Sequence, residues 1–266
     1  MEIDVNENDM KRFYRTSNKY LEGLHKRNKQ DYVQYSLFIK RHVPDGSSIL
    51  DLGCGTGYSS LLLSYEGFDV TGVDVSSLFL SEISKSRSAN LNLLVADAAD
   101  LPFRSESFDA VSSSMMIEHI FHVGKTLREM LRVVRKGGYI VIISPNLLSP
   151  IHSLKALWRF LIWGKIKDFR SPFGNDLTQI LFFLIRNIFL LLRKMVNDRI
   201  CFGYRVPDIS KAVHGDVDSV YLSNPIDLRK WFRQNGAEIV RSQWQGKSYF
   251  LGPFASTTCV IAKMNS

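Results

Sequence analysis

The chain has 266 residues and is 45% hydrophobic, enough to bury a sizeable core in one α/β unit. Its three cysteines, Cys54, Cys201 and Cys259, have neither disulfide nor metal-site spacing, which argues against a disulfide-stapled secreted scaffold and points to a reducing cytosol. The start MEIDVNEND is acidic and lacks an apolar run, so no signal peptide is expected. Residues 9 to 42 read as two helical stretches rich in Tyr and Lys/Arg, including Tyr14, Tyr20, Tyr32 and Tyr35.

Residues Ile49 to Gly57 follow as ILDLGCGTG. An apolar strand ends in Asp51, three glycines stand at every second position, and Tyr58 to Tyr65 can carry a helix away from the turn. Backbone at Gly53, Gly55 and Gly57 can take positive φ and has no Cβ to meet a ligand, which suits a floor beneath a nucleoside. A dinucleotide fingerprint would place the third glycine at 58, where Tyr58 stands, and no P-loop Lys-Ser/Thr follows. Val70 to Asp74 is a second β-branched run ending in an acid. Asp74 lies about twenty residues past the glycines, where a ribose-binding carboxylate is expected, although a helix N-cap is an equally simple reading. Leu93 to Asp97 gives a third strand ending in an acid, and Ser107 to Val111 a fourth.

The D-x-G-x-G-x-G pattern opened by Asp51 resembles motif I of the class I S-adenosylmethionine-dependent methyltransferases, and the order of segments resembles the type 11 methyltransferase domain family. The resemblance continues through Ile117, Glu118 and His119, a helix over Thr126 to Val134, and RKGGYIVIISP from Arg135 to Pro145, where Gly137 and Gly138 supply the turn into a fifth strand. It covers residues 48 to 145. It implies an α/β fold, a doubly wound Rossmann-like sheet of seven strands, with the ligand outside the strands' carboxyl ends. It also implies S-adenosyl-L-methionine as cofactor, held by Asp51, Gly53, Cys54, Gly55, Gly57, Asp74, Val75, Asp97, Ala98 and Ser114. Asp97 and the Ala98 N–H would face the adenine edge, and residues 1–42 would form a lid, unless those helices only pack on the sheet edge. Cys54 reads as a small filler of the turn.

Beyond the fifth strand, residues 147–213 hold eleven Lys/Arg against four Asp, a net of +7 when the whole chain carries +8. The sequence therefore divides into a lid (1–42), a cofactor-binding domain (43–146 and 214–266), and a basic, apolar helical insert between strands 5 and 6. On a helical wheel of Leu177 to Met195, Gln179, Arg186 and Arg193 share a line beside Asn187 and Lys194, and the other two-thirds is Leu, Ile and Phe. Leu154 to Trp163 repeats the design with Lys155 and Arg159. A span is disfavoured, since Arg186 at its middle would cost about 2.5–3.5 kcal/mol. Two readings remain, an interfacial segment over 154–195 lying on an anionic membrane with its arginines snorkelling, and an ordinary cap over the acceptor site. Nucleic acid is disfavoured, because a phosphate-tracking groove wants exposed basic residues rather than aliphatic runs. After the insert, Asn224 and Pro225 start a helix that stops at Gly236. Ala237 to Trp244 and Thr257 to Lys263 then form a closing antiparallel pair.

Methyl transfer asks for a nucleophile held in line with the methyl group, and oxygen acceptors often add a base. His119 is the best-placed candidate, the alternative being a structural histidine. His152, His214 and Tyr221 are weaker ones. Related quinone-pathway enzymes hold a metal with a Glu three residues before such a Glu-His pair. That position here is Met115, so no metal is expected. The sequence thus reads as a methyltransferase of a small or amphipathic acceptor, a lipid or lipid-linked sugar among them, with O-methylation favoured. Its expected place is cytoplasmic, at the inner face of the membrane. Rival readings are a non-catalytic cofactor-binding module, a nucleic-acid methyltransferase using the insert, and an NAD-linked oxidoreductase, whose glycine fingerprint and Tyr-x-x-x-Lys pair are absent.

Overall fold

The computed structural model describes residues 5–83, 89–163, 177–209, 218–240 and 254–265. Three helices come first, α1 (Glu7–Thr16), α2 (Asn18–His25) and α3 (Lys29–His42). The sequence reading expected two. The difference is a matter of caps: Ser17 follows α1 directly and accepts the Tyr20 N–H at 3.1 Å, which restarts the helix at once.

The core alternates from β1 (Ser48–Leu52) through α4 (Tyr58–Tyr65), β2 (Asp69–Asp74), the short α5 (Ser77–Leu80), β3 (Leu91–Val95), β4 (Phe108–Ser114), α6 (Val123–Val133) and β5 (Val134–Pro145). The insert supplies α7 (Pro150–Trp163) and α8 (Leu177–Val196), and the chain closes with α9 (Pro225–Gln234), β6 (Ala237–Val240) and β7 (Thr257–Met264). The seven strands lie in the order β3-β2-β1-β4-β5-β7-β6. Strands β1 to β5 are parallel, and β7 runs antiparallel between β5 and β6. The expected doubly wound sheet with its insert between strands 5 and 6 is the observed one.

Both faces of the sheet are covered, which is why its central strands are apolar throughout. Leu50, Leu52, Val111, Ile140 and Ile142 pack with Leu127 and Met130 of α6 and with Leu228 and Phe232 of α9. Ile49, Val70, Ala110 and Val141 pack on the other face with Phe38 and Ile39 of α3 and with Leu63 of α4. Two boundaries differ from expectation. The third strand ends at Val95, leaving Asp97 in the loop beyond it. β5 begins at Val134, ahead of the glycine pair, and its register on β4 jumps from Phe108↔Val134 to Ala110↔Tyr139, so the glycines form a bulge within the strand. A Cβ on Gly138 would stand 2.6 Å from the Asp109 carbonyl oxygen, so only glycine fits there. His214 and the second part of the strand expected over Ala237 to Trp244 lie outside the described residues.

The insert helices pack on one another, and α8 also packs on α9. The polar residues of α8 do not all face outward. Asn187 is fully buried beside Ile180 and Leu191, and the Lys194 ammonium donates to Asp227 at 2.6 Å and to the Cys201 carbonyl at 2.6 Å. The exposed side of α8 is the apolar one. No helix among the described residues is long and apolar enough to cross a membrane.

Candidate active site

The cleft opens at the carboxyl ends of β1, β2 and β4. Beyond β1 the chain turns through Gly53, Gly55 and Gly57 at φ of 69°, 58° and 78°. That left-handed geometry is costly for residues with a Cβ. The turn is stapled to the neighbouring strand: the Gly53 and Cys54 N–H groups both donate to the Val73 carbonyl, at 2.8 and 3.1 Å. At Gly55 an added Cβ would meet nothing closer than Leu24 at 3.6 Å, so this backbone stays open to the cleft. At Gly57 a Cβ would stand 2.7 Å from Ile83. Gly57 is therefore a packing and turning residue, away from the cleft wall where the sequence reading put it.

Asp51 likewise departs from that reading. Its carboxylate is buried beneath the turn and accepts four hydroxyls, from Tyr35 (3.0 Å), Ser112 (3.1 Å), Ser59 (2.9 Å) and Ser60 (2.7 Å). Burial pushes its pKa up, and the four hydroxyls pull against that shift. Asp51 ties α3, α4 and β4 together under the glycines and does not line the cleft. Tyr35, its partner, leaves the lid tyrosines for the core.

Asp74 does line the cleft. One oxygen accepts the Gly55 N–H at 2.9 Å and the other the Ser76 N–H at 2.9 Å, so the carboxylate is fixed in orientation, and the Val75 N–H adds to its hold. Burial raises its pKa to about 6, against the pull of those N–H groups. Ser76 itself caps α5, so the N-cap role weighed for Asp74 belongs to its neighbour. Val75, Asp97, Ala98, Ser114, Gly53 and Cys54 also line the cleft. Asp97 accepts the Ala99 N–H at 2.9 Å, and its other oxygen is held by Lys11 of α1 at 2.6 Å, with Glu7 on the same ammonium at 2.7 Å. Burial would push the Asp97 pKa up, but Lys11 and the Ala99 N–H outweigh it and hold the carboxyl below its ordinary range. Cys54 is buried, and desolvation followed by the Asp74 charge pushes its thiol well up, which suits a filler and not a nucleophile.

The roof of the cleft comes from the N-terminal helices, through Met10, Lys11, Tyr14, Tyr20, Leu24 and Tyr32. Tyr20 stacks on Phe79 at 5.8 Å, so α2 and α5 share an aromatic contact.

At the far end stands His119, on a 3-10 turn (Ile117–His119) after β4. Met115, just before it, has φ of 56°, an uncommon conformation for a side-chain-bearing residue and one that re-aims the chain into the cleft. The imidazole lies between two carboxylates, with Nδ1 3.3 Å from Asp218 and Nε2 3.7 Å from the buried Glu118. Asp218 also accepts the Tyr14 hydroxyl at 2.8 Å. Burial, then the Asp218 charge, pushes the Tyr14 pKa well up, so Tyr14 serves as a donor. The sequence reading missed Asp218. It arrives from beyond the insert, at no fixed spacing from any motif, and is held there because Val220 and Tyr221 donate their N–H groups to the Glu118 carbonyl at 2.7 and 2.9 Å. The weaker candidates lie elsewhere: His152 faces the Ser256 carbonyl at 3.3 Å, and Tyr221 is buried in an aromatic cluster with Phe202 and Tyr204. Among the described residues no group of three or more His, Cys, Asp and Glu is placed to hold a metal ion.

Comparison with known proteins bears on this cleft. The family model described as a methyltransferase domain matches residues 50–142. The demethylmenaquinone methyltransferase of Paenarthrobacter aurescens (strain TC1) is 37% identical over 116 residues, covering 44% of each chain. The malonyl-[acyl-carrier protein] O-methyltransferase of Hamiltonella defensa is 28% identical over 189 residues, covering 66% of this chain and 72% of that one. The matched stretches span only 40% to 53% of the length of the four demethylmenaquinone methyltransferases. In structure, an S-adenosylmethionine dependent methyltransferase from Mesorhizobium loti superposes with a TM-score of 0.55 at 17% identity, covering 85% of this chain and 95% of that one, and so shares the fold. The family match runs from Leu50 to Ile142, along the strands that build the cleft. That agreement marks residues 50–142 as a methyltransferase domain of the class I S-adenosylmethionine-dependent kind, with S-adenosyl-L-methionine as its cofactor.

Proposed function

We propose that the protein transfers a methyl group from S-adenosyl-L-methionine to an oxygen of a small or amphipathic acceptor, a lipid or lipid-linked sugar, with His119 as the general base. The residues present fit the cofactor. Gly55 leaves open a cradle that a Cβ would fill, and Asp74 offers a fixed, buried carboxylate with two accepting oxygens for a vicinal diol. Val75, Asp97, Ala98, Ser114 and the backbone at Gly53 and Cys54 would complete its walls, with helices 1–42 as lid. When bound, the cofactor supplies an electrophilic methyl on a sulfonium. The chain's own part is to hold the acceptor in line and to exclude water, and His119 would take the proton from the acceptor hydroxyl.

The observation that carries the base assignment is the carboxylate of Asp218 at 3.3 Å from His119 Nδ1 inside the cleft, an arrangement that orients the ring and favours the protonated imidazole formed on proton uptake. One relative named as an O-methyltransferase supports oxygen as the acceptor atom. Residues 147–213 would cap the acceptor end, and their basic, apolar character supports an acceptor met at the inner face of a membrane, in the cytoplasm. The three free cysteines fit that reducing compartment.

Incubation with methyl-labelled cofactor and a total-lipid extract should move label into the organic phase. His119→Ala should slow this by about 10²–10⁴-fold while leaving cofactor affinity intact. Absence of label in lipid removes the lipid acceptor, and an unchanged rate in the variant removes the base.

A further inference from the structure

We infer that the outward faces of α7 and α8 form a docking surface for an anionic lipid bilayer, on which the protein lies without inserting a span. This deepens the membrane part of the proposed function and rests on it for its purpose, but its geometry is independent of methyl transfer.

On the helical wheel Asn187 and Lys194 stand beside the line of Gln179, Arg186 and Arg193, as one narrow polar stripe. The fold distributes α8 differently. Ile180, Asn187, Leu191 and Lys194 recur at helical spacing and face the protein. On the opposite side Phe182, Ile185 and Phe189 are 61%, 67% and 63% exposed, and Leu192 and Val196 continue the stripe. On α7, Ser153 and Ala156 face inward, while Trp158 and Leu161 are 60% and 71% exposed. Two adjoining helices thus each turn an apolar stripe outward, although the domain has polar residues available and uses two of them on the inner side of α8. Scattered exposed apolar residues need no explanation, but two periodic stripes on packed helices do.

Charge selects the occupant. Neither helix carries an acid. Lys155 and Arg159 border the α7 stripe, and at 100° per residue Arg186 and Arg193 run along one edge of the α8 stripe. Arg186 is half-buried, with its guanidinium over the Phe183 ring at 5.1 Å, while Arg193 is exposed at the border of the stripe. A second copy of the chain would bring basic edge against basic edge, whereas phosphates of an anionic bilayer would meet both edges while the stripe enters the acyl boundary. The three basic residues of α8 rule out a span but suit a helix lying in the plane of the interface.

The test is flotation of the full chain with vesicles of phosphatidylcholine, alone or mixed with phosphatidylglycerol. Binding should favour the anionic vesicles, weaken with salt, and fall at least about tenfold in the combined Phe182→Ser, Ile185→Ser and Phe189→Ser variant. A second variant, Lys155→Gln with Arg159→Gln and Arg193→Gln, should lose roughly fivefold per residue on anionic vesicles and nothing on neutral ones. Calorimetry with the cofactor on the same samples checks that each variant is folded. Intact cofactor binding without vesicle binding overturns the docking face and leaves the methyltransferase reading standing. Vesicle binding without cofactor binding does the reverse. A concentration-dependent dimer that the serine variant abolishes also overturns the inference, since the stripe then belongs to a second copy.

Discussion

The two ends of the cleft are built in different ways. The cofactor end is assembled from residues close to one another in sequence, each within a few positions of a strand terminus: Gly53 to Gly55 after β1, Asp74 at the end of β2, and Asp97 two residues beyond β3. The other end, where we place the acceptor, brings together Tyr14, His119 and Asp218, residues as much as 204 positions apart. A cofactor shared by many enzymes can be met by a local motif, whereas an individual acceptor is met by long-range contacts that no spacing records. The same contrast recurs in the two polar anchors beneath and beside the glycine turn. Asp51 and Asp74 both stand at or next to the last residue of a strand and both hold the turn, but one spends both oxygens on hydroxyls within the protein and the other keeps capacity for a ligand.

That contrast can be broken most severely at Asp51. Asp51→Ala should leave the hydroxyls of Tyr35, Ser59, Ser60 and Ser112 without their acceptor, at about 1–3 kcal/mol of stability for each hydroxyl that stays buried and unsatisfied. Thermal unfolding would measure it. A change under 1 kcal/mol, with cofactor affinity lost instead, would return Asp51 to the binding set.

A smaller effect sharpens the role of Asp74. Ribose hydroxyls would donate to its ionised form, and its pKa in the free protein is raised to about 6. Cofactor affinity should therefore be flat above pH 6 and fall below it, by at most about tenfold per pH unit, with proton release on binding near that pH. The effect on folding has the opposite sign. Because the folded pKa lies above the ordinary 3.8, this group's contribution to stability in the free protein is fully present below that value and is lost as pH rises through about 6. Calorimetry across pH would read the first and unfolding across pH the second. Affinity unchanged down to pH 4 would separate Asp74 from the ribose.

The smallest effect is at the N-terminal helices, which we propose as the lid. The Lys11 bridges to Asp97 and Glu7 are partly exposed, so Lys11→Gln should cost under about 1 kcal/mol in thermal stability. A larger loss would make this bridge, and not the aromatic contact of Tyr20 with Phe79, the main fastening of the lid.

Much of this was legible in the sequence, and the errors have physical causes. The succession of strands along the chain, the glycine turn and the Asn224 cap follow from local patterns in the sequence. The role of Asp51 did not follow from its motif, but strand alternation could have given it. Asp51 shares a face with Ile49, toward α3 and α4, while Leu50 and Leu52 face the other way. The wheel of α8 grouped as one stripe polar residues that the fold separates, Asn187 and Lys194 inward and Arg193 outward, because a helix apolar over most of its circumference can be buried on several sides. Only Asn187 inside and Phe189 outside decide which. Asp218 carried no signal at all, since its position depends on the return of the chain after the insert.

The central claim is that this cleft holds S-adenosyl-L-methionine on Asp74. Titration calorimetry of the protein with the cofactor, with its demethylated product and with NAD tests it most directly. Heat is expected with both sulfur nucleosides and none with NAD, and Asp74→Ala should lose roughly 1.5–3 kcal/mol of binding, the range for hydrogen bonds to a charged acceptor. No heat with either sulfur nucleoside, or tight binding of NAD, would contradict it.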